Sequence, residues 1–349
     1  MSDQSLTPGE AAAFAADAPR RPLVTLERGL LVVGLVVYLA LLGAAAWAFL
    51  ALAPDQLAFT LAGHAFHVHG VHERLFGDAA LMFLILPGAL WVEFMVLGWA
   101  RSSVRRLLFA RSPSEKTDLA VFILGQGHVL DVLGRLMVLG ASLISGAWIR
   151  AWLASTFGFE INLPAMPTPV AVVVFFFVYT FFDYWTHRLD HTPFLWPLHR
   201  YHHSAEEFCV ITAARVHPAA FTPIFIINIP MAVLGAPQDV MIYVNVIVIT
   251  IGFLIHSRLE SDWGWFGRWV IQSPVGHRLH HKLDMSYPTG NFAIAPIWDR
   301  LFGTYNGKCD PHLAIGVERS YRHGFWFVPD LLRDYWHFWR GVFTLKPLE

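Results

Sequence analysis

The stretches HRYHH (199–203) and HRLHH (277–281) repeat one pattern, His-x-x-His-His, and differ only at the centre, Tyr201 against Leu279. Upstream, DYWTHRLDH places His187 and His191 four residues apart. Residues four apart on a helix lie on one face, so the pairs His187/His191, His199/His203 and His277/His281 can each aim two rings at one point. His202 and His280 sit three residues after the first histidine of their stretch. Each diverges from its neighbour by about a hundred degrees, enough to reach a different metal. His217 in ARVHPAA and His256 in FLIHSRLE bring the set to ten imidazoles. A general base needs one histidine, a catalytic zinc about three and a structural zinc about four. Ten suit two metals better than one.

Alone, a histidine at a membrane edge is ordinarily a satisfied interfacial side chain, and that reading fits His217 or His256 taken singly. It does not fit eight histidines in three patterned groups. The chain has only two cysteines, Cys209 and Cys309, so the ligands are nitrogen-dominated and no disulfide framework is implied. Acids beside the patterns, Asp183, Asp190, Glu206, Glu207 and Asp284, are candidate acceptors for the outer N–H of a ligand imidazole.

The elements that must carry these residues are apolar. Of 349 residues, 55% are hydrophobic and 15% charged, against roughly 45–50% and about 25% in soluble domains. Gly29 to Ala53 has no charge and exceeds the ~20 residues that cross a bilayer. It is too long for a signal peptide, and further apolar runs follow it. Asp78 to Ala100 is a second candidate span, with Glu93 inside and a kink expected at Pro87. Leu119 to Trp148 is a third, carrying His128, Asp131 and Arg135, which share a helical face and are expected inside the bundle. Val170 to Tyr184 is a fourth. Ala219 to Ile255, broken at Gly235 and Pro237, reads as a hairpin, crossing or re-entrant.

Arg20, Arg21 and Arg28 precede the first span, and Arg101, Arg105, Arg106, Arg111 and Lys116 lie between the second and third. The positive-inside rule puts both groups in the cytoplasm. Counting crossings then brings every patterned histidine to that face, and places His64, His67, His69 and His72 on the other. The expectation is an all-α, polytopic membrane bundle with a cytoplasmic histidine-rich helical domain, in a bacterial inner membrane, with the active site and C-terminus cytoplasmic. It divides into a cytoplasmic tail (1–28), an N-terminal transmembrane region (29–168), a catalytic domain (169–310) and an aromatic-rich interfacial tail (311–349). With a net charge of −1 and sparse basic residues, nucleic acid is not an expected partner.

The order HxxxH, HxxHH, HxxHH between apolar hairpins resembles the fatty acid hydroxylase and sterol desaturase superfamily. The likeness runs from about Val170 to Tyr305 and includes NFAIAPIWDRLFGTY (291–305), similar to the family's closing segment. In that segment Asn291 and Asp299 read as structural, and the segment as a cover over the site. The resemblance implies a histidine-bound dimetal centre that activates dioxygen. Its ligand boxes match His187, His191, His199, His202, His203, His277, His280 and His281, and its extra histidine after the second hairpin matches His256. His217 resembles the family's histidine before proline and joins the metal set. Two iron ions are expected, because iron undergoes the redox change that zinc cannot. No cytochrome b5 motif surrounds His312, His323 or His337, so electrons are expected from a separate NAD(P)H-linked protein.

The expected reaction is O2-dependent hydroxylation of a C–H bond in a membrane lipid, fatty acyl or sterol-like, with desaturation at the same centre as the alternative. A zinc hydrolase is the nearer competitor from another class, but it needs fewer histidines and no HExxH is present. A transporter would set its ligands at mid-bilayer in broken, repeated helices. Here they follow helix ends, and the two halves show no matching repeat.

Overall fold

The structure is a computed structural model that describes residues 25–61, 63–72, 79, 81–138, 146–161, 163, 166–283, 290–308 and 310–346. The 1–24 portion of the N-terminal tail, Asp284 and Cys309 therefore lie outside the described residues, as do the side chains of Arg28, His64 and Arg135.

Among the described residues, three helices are long and apolar enough to cross a membrane. The first, α1 (Thr25–Leu52), leaves large apolar side chains such as Val33 and Trp47 bare on every side. A helix apolar all round that the chain does not cover is at home in lipid. The others, called α7 (Thr168–Asp190) and α10 (Gln238–Ile255) in chain order, pack together. Between them lies a core of Phe175, Phe176, Val240, Val244, Ile251 and Ile255, while Val173 and Tyr243 on their outer faces stay exposed. Three such helices indicate a polytopic membrane protein.

The remaining apolar stretches depart from the expected crossings. The second is a π-helical turn (Leu81–Ile85) running without a break into α2 (Leu86–Leu97), with Pro87 just past the junction, where a proline disturbs the helical ladder. Glu93 is fully buried there. It accepts Ser103 Oγ–H at 2.9 Å, the Ser103 N–H at 2.5 Å at the start of α3 (Ser103–Phe109), and the Arg258 N–H at 2.7 Å. The interior acid thus fastens the chain two residues beyond His256.

The third stretch is not one span among the described residues. It is divided among α4 (Pro113–Gln126), α5 (Val129–Met137) and α6 (Gly146–Phe157). His128 breaks it with a left-handed backbone, φ 56°. The Ser112–Glu115 capping box and Pro113 start α4, which carries buried acids rather than a lipid-facing surface. His128 Nδ1 and Asp131 Oδ2 meet at 2.7 Å with both side chains more than half exposed, not inside the bundle.

The later hairpin is unequal. Its first arm is a π-helical turn (Ile224–Asn228) and α9 (Ile229–Val233), which follows α8 (Trp196–His203) in the chain, and its second arm is α10. Gly235, at φ 73°, makes the turn. Among the described residues there is also one sheet: β1 (Gln56–Leu61) and β2 (His64–His69) form an antiparallel hairpin with Gln56 opposite His69. The alternating residues of HAFHVH suit a two-faced strand.

Candidate metal centre

Helix lengths set the site. α7 ends at Asp190 and α10 at Ile255, so His187 and His191 on one and His256 on the other emerge at one end of the packed pair. Two short helices bring the rest: α8 carries His199, His202 and His203, and α12 (Pro274–His280), which follows α11 (Gly264–Trp269), carries His277 and His280, with His281 as its cap. Ser273 caps α12 by accepting the Gly276 N–H, and Pro274 sits in its first turn.

Nine of the ten histidines converge in two groups. His187, His191, His199, His203 and His280 form the first; His202, His256, His277 and His281 form the second. Both HxxHH stretches split: His199 and His203 face the first group and His202 the second, while His277 and His281 face the second and His280 the first. The divergence of adjacent residues on a helix is thereby used twice.

Outer hydrogen bonds fix how these rings point. His187 Nδ1 donates to the Phe292 carbonyl (2.6 Å), His280 Nδ1 to Gly290 (2.9 Å), His202 Nδ1 to Arg215 (3.1 Å) and His256 Nδ1 to Gly252 (2.7 Å). His277 Nδ1 donates to Gln272 Oε1 at 3.0 Å. A carbonyl only accepts, so each of these neutral rings carries its proton on Nδ1 and turns the Nε2 lone pair inward. The inward nitrogens crowd: His277 Nε2 lies 2.9 Å from His256 Nε2, which lies 3.2 Å from His202 Nε2. His187 Nε2 is buried with no hydrogen-bond partner. Lone pairs facing one another at such distances repel unless a cation lies among them, so the donor set fits a metal in each group.

Burial works in the same sense. It pushes the pKa of His256 down to about 4, and those of His191, His199, His202, His203, His277, His280 and His281 well below the ordinary imidazole value, with neighbouring imidazoles adding to most. These rings are therefore uncharged at neutral pH and free to bind metal.

His217 stands apart from both groups. Its Nδ1 accepts the Ala219 N–H at 3.0 Å, and its Nε2–H donates to the Leu331 carbonyl at 2.9 Å. With both nitrogens engaged it has no lone pair to offer, and its place is structural. The expected acidic acceptors are also mostly engaged elsewhere: Glu206 pairs with His323 at 3.1 Å and Glu207 with Arg106 at 2.6 Å. Asp183 takes the Ile294 N–H, and Asp190 comes only to 3.9 Å of His199 Nδ1. Backbone carbonyls and Gln272 do that work instead. His67 and His69 are exposed on the hairpin, and His72 contacts the Ala53 carbonyl; none belongs to either group.

Three buried supports hold the ligand-bearing elements in place. Asp118 and Arg215 form a fully buried ion pair at 2.6 Å, completed by Thr212 and Ser114, and it steadies the carbonyl that orients His202. Asp299 accepts the N–H groups of Phe292 (2.9 Å) and Ala293 (2.8 Å) and the Thr304 hydroxyl (2.7 Å), holding the closing segment against His187. In the C-terminal tail, α14 (Val328–Thr344) comes after α13 (Ile297–Leu301), and its Asp334 grips Arg200 of α8 at 3.0 Å. The first and third join residues far apart in sequence, which no local pattern announces, whereas Asp299 holds the structural place in its segment that the sequence suggested.

A mostly helical membrane protein with two adjoining histidine clusters of this kind is consistent with a histidine-box dimetal oxidoreductase. Residues 172–304 match the model of the fatty acid hydroxylase family. Over 160 residues the chain is 30% identical to alkylglycerol monooxygenase of Danio rerio, covering 44% of this chain and 35% of that protein. It is likewise 30% identical over 163 residues to ornithine lipid hydroxylase OlsE of Rhizobium tropici, covering 46% of this chain and 49% of that one. The Homo sapiens alkylglycerol monooxygenase is 28% identical over 127 residues. The chain thus matches half or less of the length of these relatives, and no solved structure matches it. The segment that bears the histidine boxes is thus similar to the fatty acid hydroxylase family.

Proposed function

We propose that this protein is an O2-dependent lipid hydroxylase that holds two iron ions between its histidine groups. The carrying observation is the arrangement of nine imidazoles, six of them buried and three half-buried, in groups of five and four, several with Nδ1–H fixed outward and Nε2 inward. Such a pair of irons, supplied with O2 and electrons, provides the oxidising power to break an unactivated C–H bond. The chain orients the ligands through Gly290, Phe292, Arg215, Gly252 and Gln272. It limits water by burying His202, His203, His256, His277, His280 and His281, with the Phe208 ring against the second group.

A membrane lipid is the substrate because the groups stand where the apolar helices α7 and α10 end. Hydroxylation is preferred to desaturation because the names of the similar proteins, a monooxygenase and a hydroxylase, both denote oxygen insertion, and both name a lipid. A zinc hydrolase accounts for a four-imidazole group but leaves the five-imidazole group in excess. Electrons come from a separate NAD(P)H-linked protein. The positive-inside rule places the histidine region, 169–310, on the cytoplasmic face, and bare Leu332, Trp336 and Phe343 suit the 311–349 tail to the bilayer interface.

The test is lipid mass spectrometry on cells making the wild type or His281→Ala under ¹⁸O2. A lipid that gains one labelled oxygen only with the wild type is expected, and it identifies the substrate. A product two hydrogens lighter and unlabelled establishes desaturation instead. An unchanged lipidome, with electron donors present, overturns lipid oxidation.

A further inference from the structure

Three successive carbonyls of the closing segment serve both histidine groups. Gly290 accepts from His280 and Phe292 from His187, both in the first group. Between them, Asn291 accepts from Gln272 Nε2 at 2.6 Å, and Gln272 Oε1 accepts from His277 of the second group at 3.0 Å. Gln272 is buried, and its backbone N–H is itself tied to the Ile294 carbonyl at 2.8 Å. Asn291 lies at φ 61° and is held there by its own side chain, which donates to the Gly276 and Asn306 carbonyls and accepts the Asn306 N–H.

The orientation of the Gln272 amide is forced. The Asn291 carbonyl only accepts, so the NH2 end must face it and the oxygen must face His277. An oxygen there requires the proton of His277 on Nδ1, which leaves its Nε2 lone pair for the metal. Gln272 thus spans from a histidine of one group to the segment that orients histidines of the other.

Building on the dimetal reading above, we infer that Gln272 is the positioning residue of the second metal site, fixing the His277 tautomer and tying that site to the segment that aims His187 and His280. Leucine at this place fills similar space but gives His277 no acceptor. Glutamate keeps the acceptor for His277 and replaces the donation to Asn291 with an oxygen facing its carbonyl.

The experiment uses the full chain in detergent, stripped of metal and titrated with Co(II), with binding followed by the visible Co(II) bands. The wild type takes up two equivalents. In Gln272→Leu the second equivalent binds about 10- to 100-fold more weakly while the first is unchanged. Gln272→Glu restores the second equivalent to within a few-fold of the wild type. A residue that merely filled space would leave the Leu titration unchanged, and one needed only for the Asn291 contact would make Glu as weak as Leu; either result overturns the inference and leaves the dimetal reading standing. A wild type that takes up fewer than two equivalents overturns both.

Discussion

The rings of His203 and His281 stack at 4.0 Å between centroids with 15° between their planes, although they belong to different groups. The two HxxHH stretches are therefore interleaved, with one member of each adjacent pair crossing to the far group. This explains why two stretches are needed: each sends histidines to both groups, yet the three histidines of one stretch cannot complete either.

That interleaving separates the effects of neighbouring substitutions. His280→Ala leaves four imidazoles around the first group, and His281→Ala leaves three around the second. After stripping and reloading, elemental analysis is expected to find close to two metals per chain in His280→Ala and close to one in His281→Ala. Equal losses in the two variants count against the division into groups of five and four.

The sequence displayed these nine clustered histidines because metal binding demands a fixed residue type at helical spacing, which a single strand of text preserves. It grouped His217 with them, though the fold sets it apart, for the converse reason. A histidine before proline looks the same whether it binds metal or, as here, links the Ala219 N–H to the Leu331 carbonyl 114 residues away. The long apolar helices α1, α7 and α10 were legible from length and composition. The stretch 119–148 was not, because its division turns on the backbone of His128 and on acids of α4 that find partners only in the folded chain. Glu93 is similar: its partners Ser103 and Arg258 make sense of an acid that hydropathy alone treats as a cost.

Orientation is the next expectation to test. A reporter after Glu349 should be cytoplasmic and one near Gly70, beyond the β1–β2 hairpin, external, since α1 lies between the basic N-terminal tail and that hairpin. Protease or reporter accessibility that puts both on one side breaks the crossing count. The histidine groups would survive that result, because their geometry depends on α7, α8, α10 and α12 packing together and not on which compartment they face.

The C-terminal helix offers the sharpest test of where the catalytic unit ends. All nine clustered histidines precede residue 282, yet Arg200, between His199 and His202 on α8, donates to Asp334 from Nε at 3.0 Å, and Asp334 also accepts the Tyr321 hydroxyl at 2.6 Å. Both members of the pair are buried. Removing one carboxylate strands a guanidinium in a poorly solvated place, a change that typically costs about 3–5 kcal/mol. Asp334→Ala is therefore expected to lower the thermal midpoint in detergent and reduce metal content, although no ligand has been touched. Asp334→Asn, which keeps one acceptor for Arg200, should recover part of both. If Asp334→Ala instead loads two metals with wild-type affinity, α8 is held by its other contacts, and the tail is dispensable to the centre.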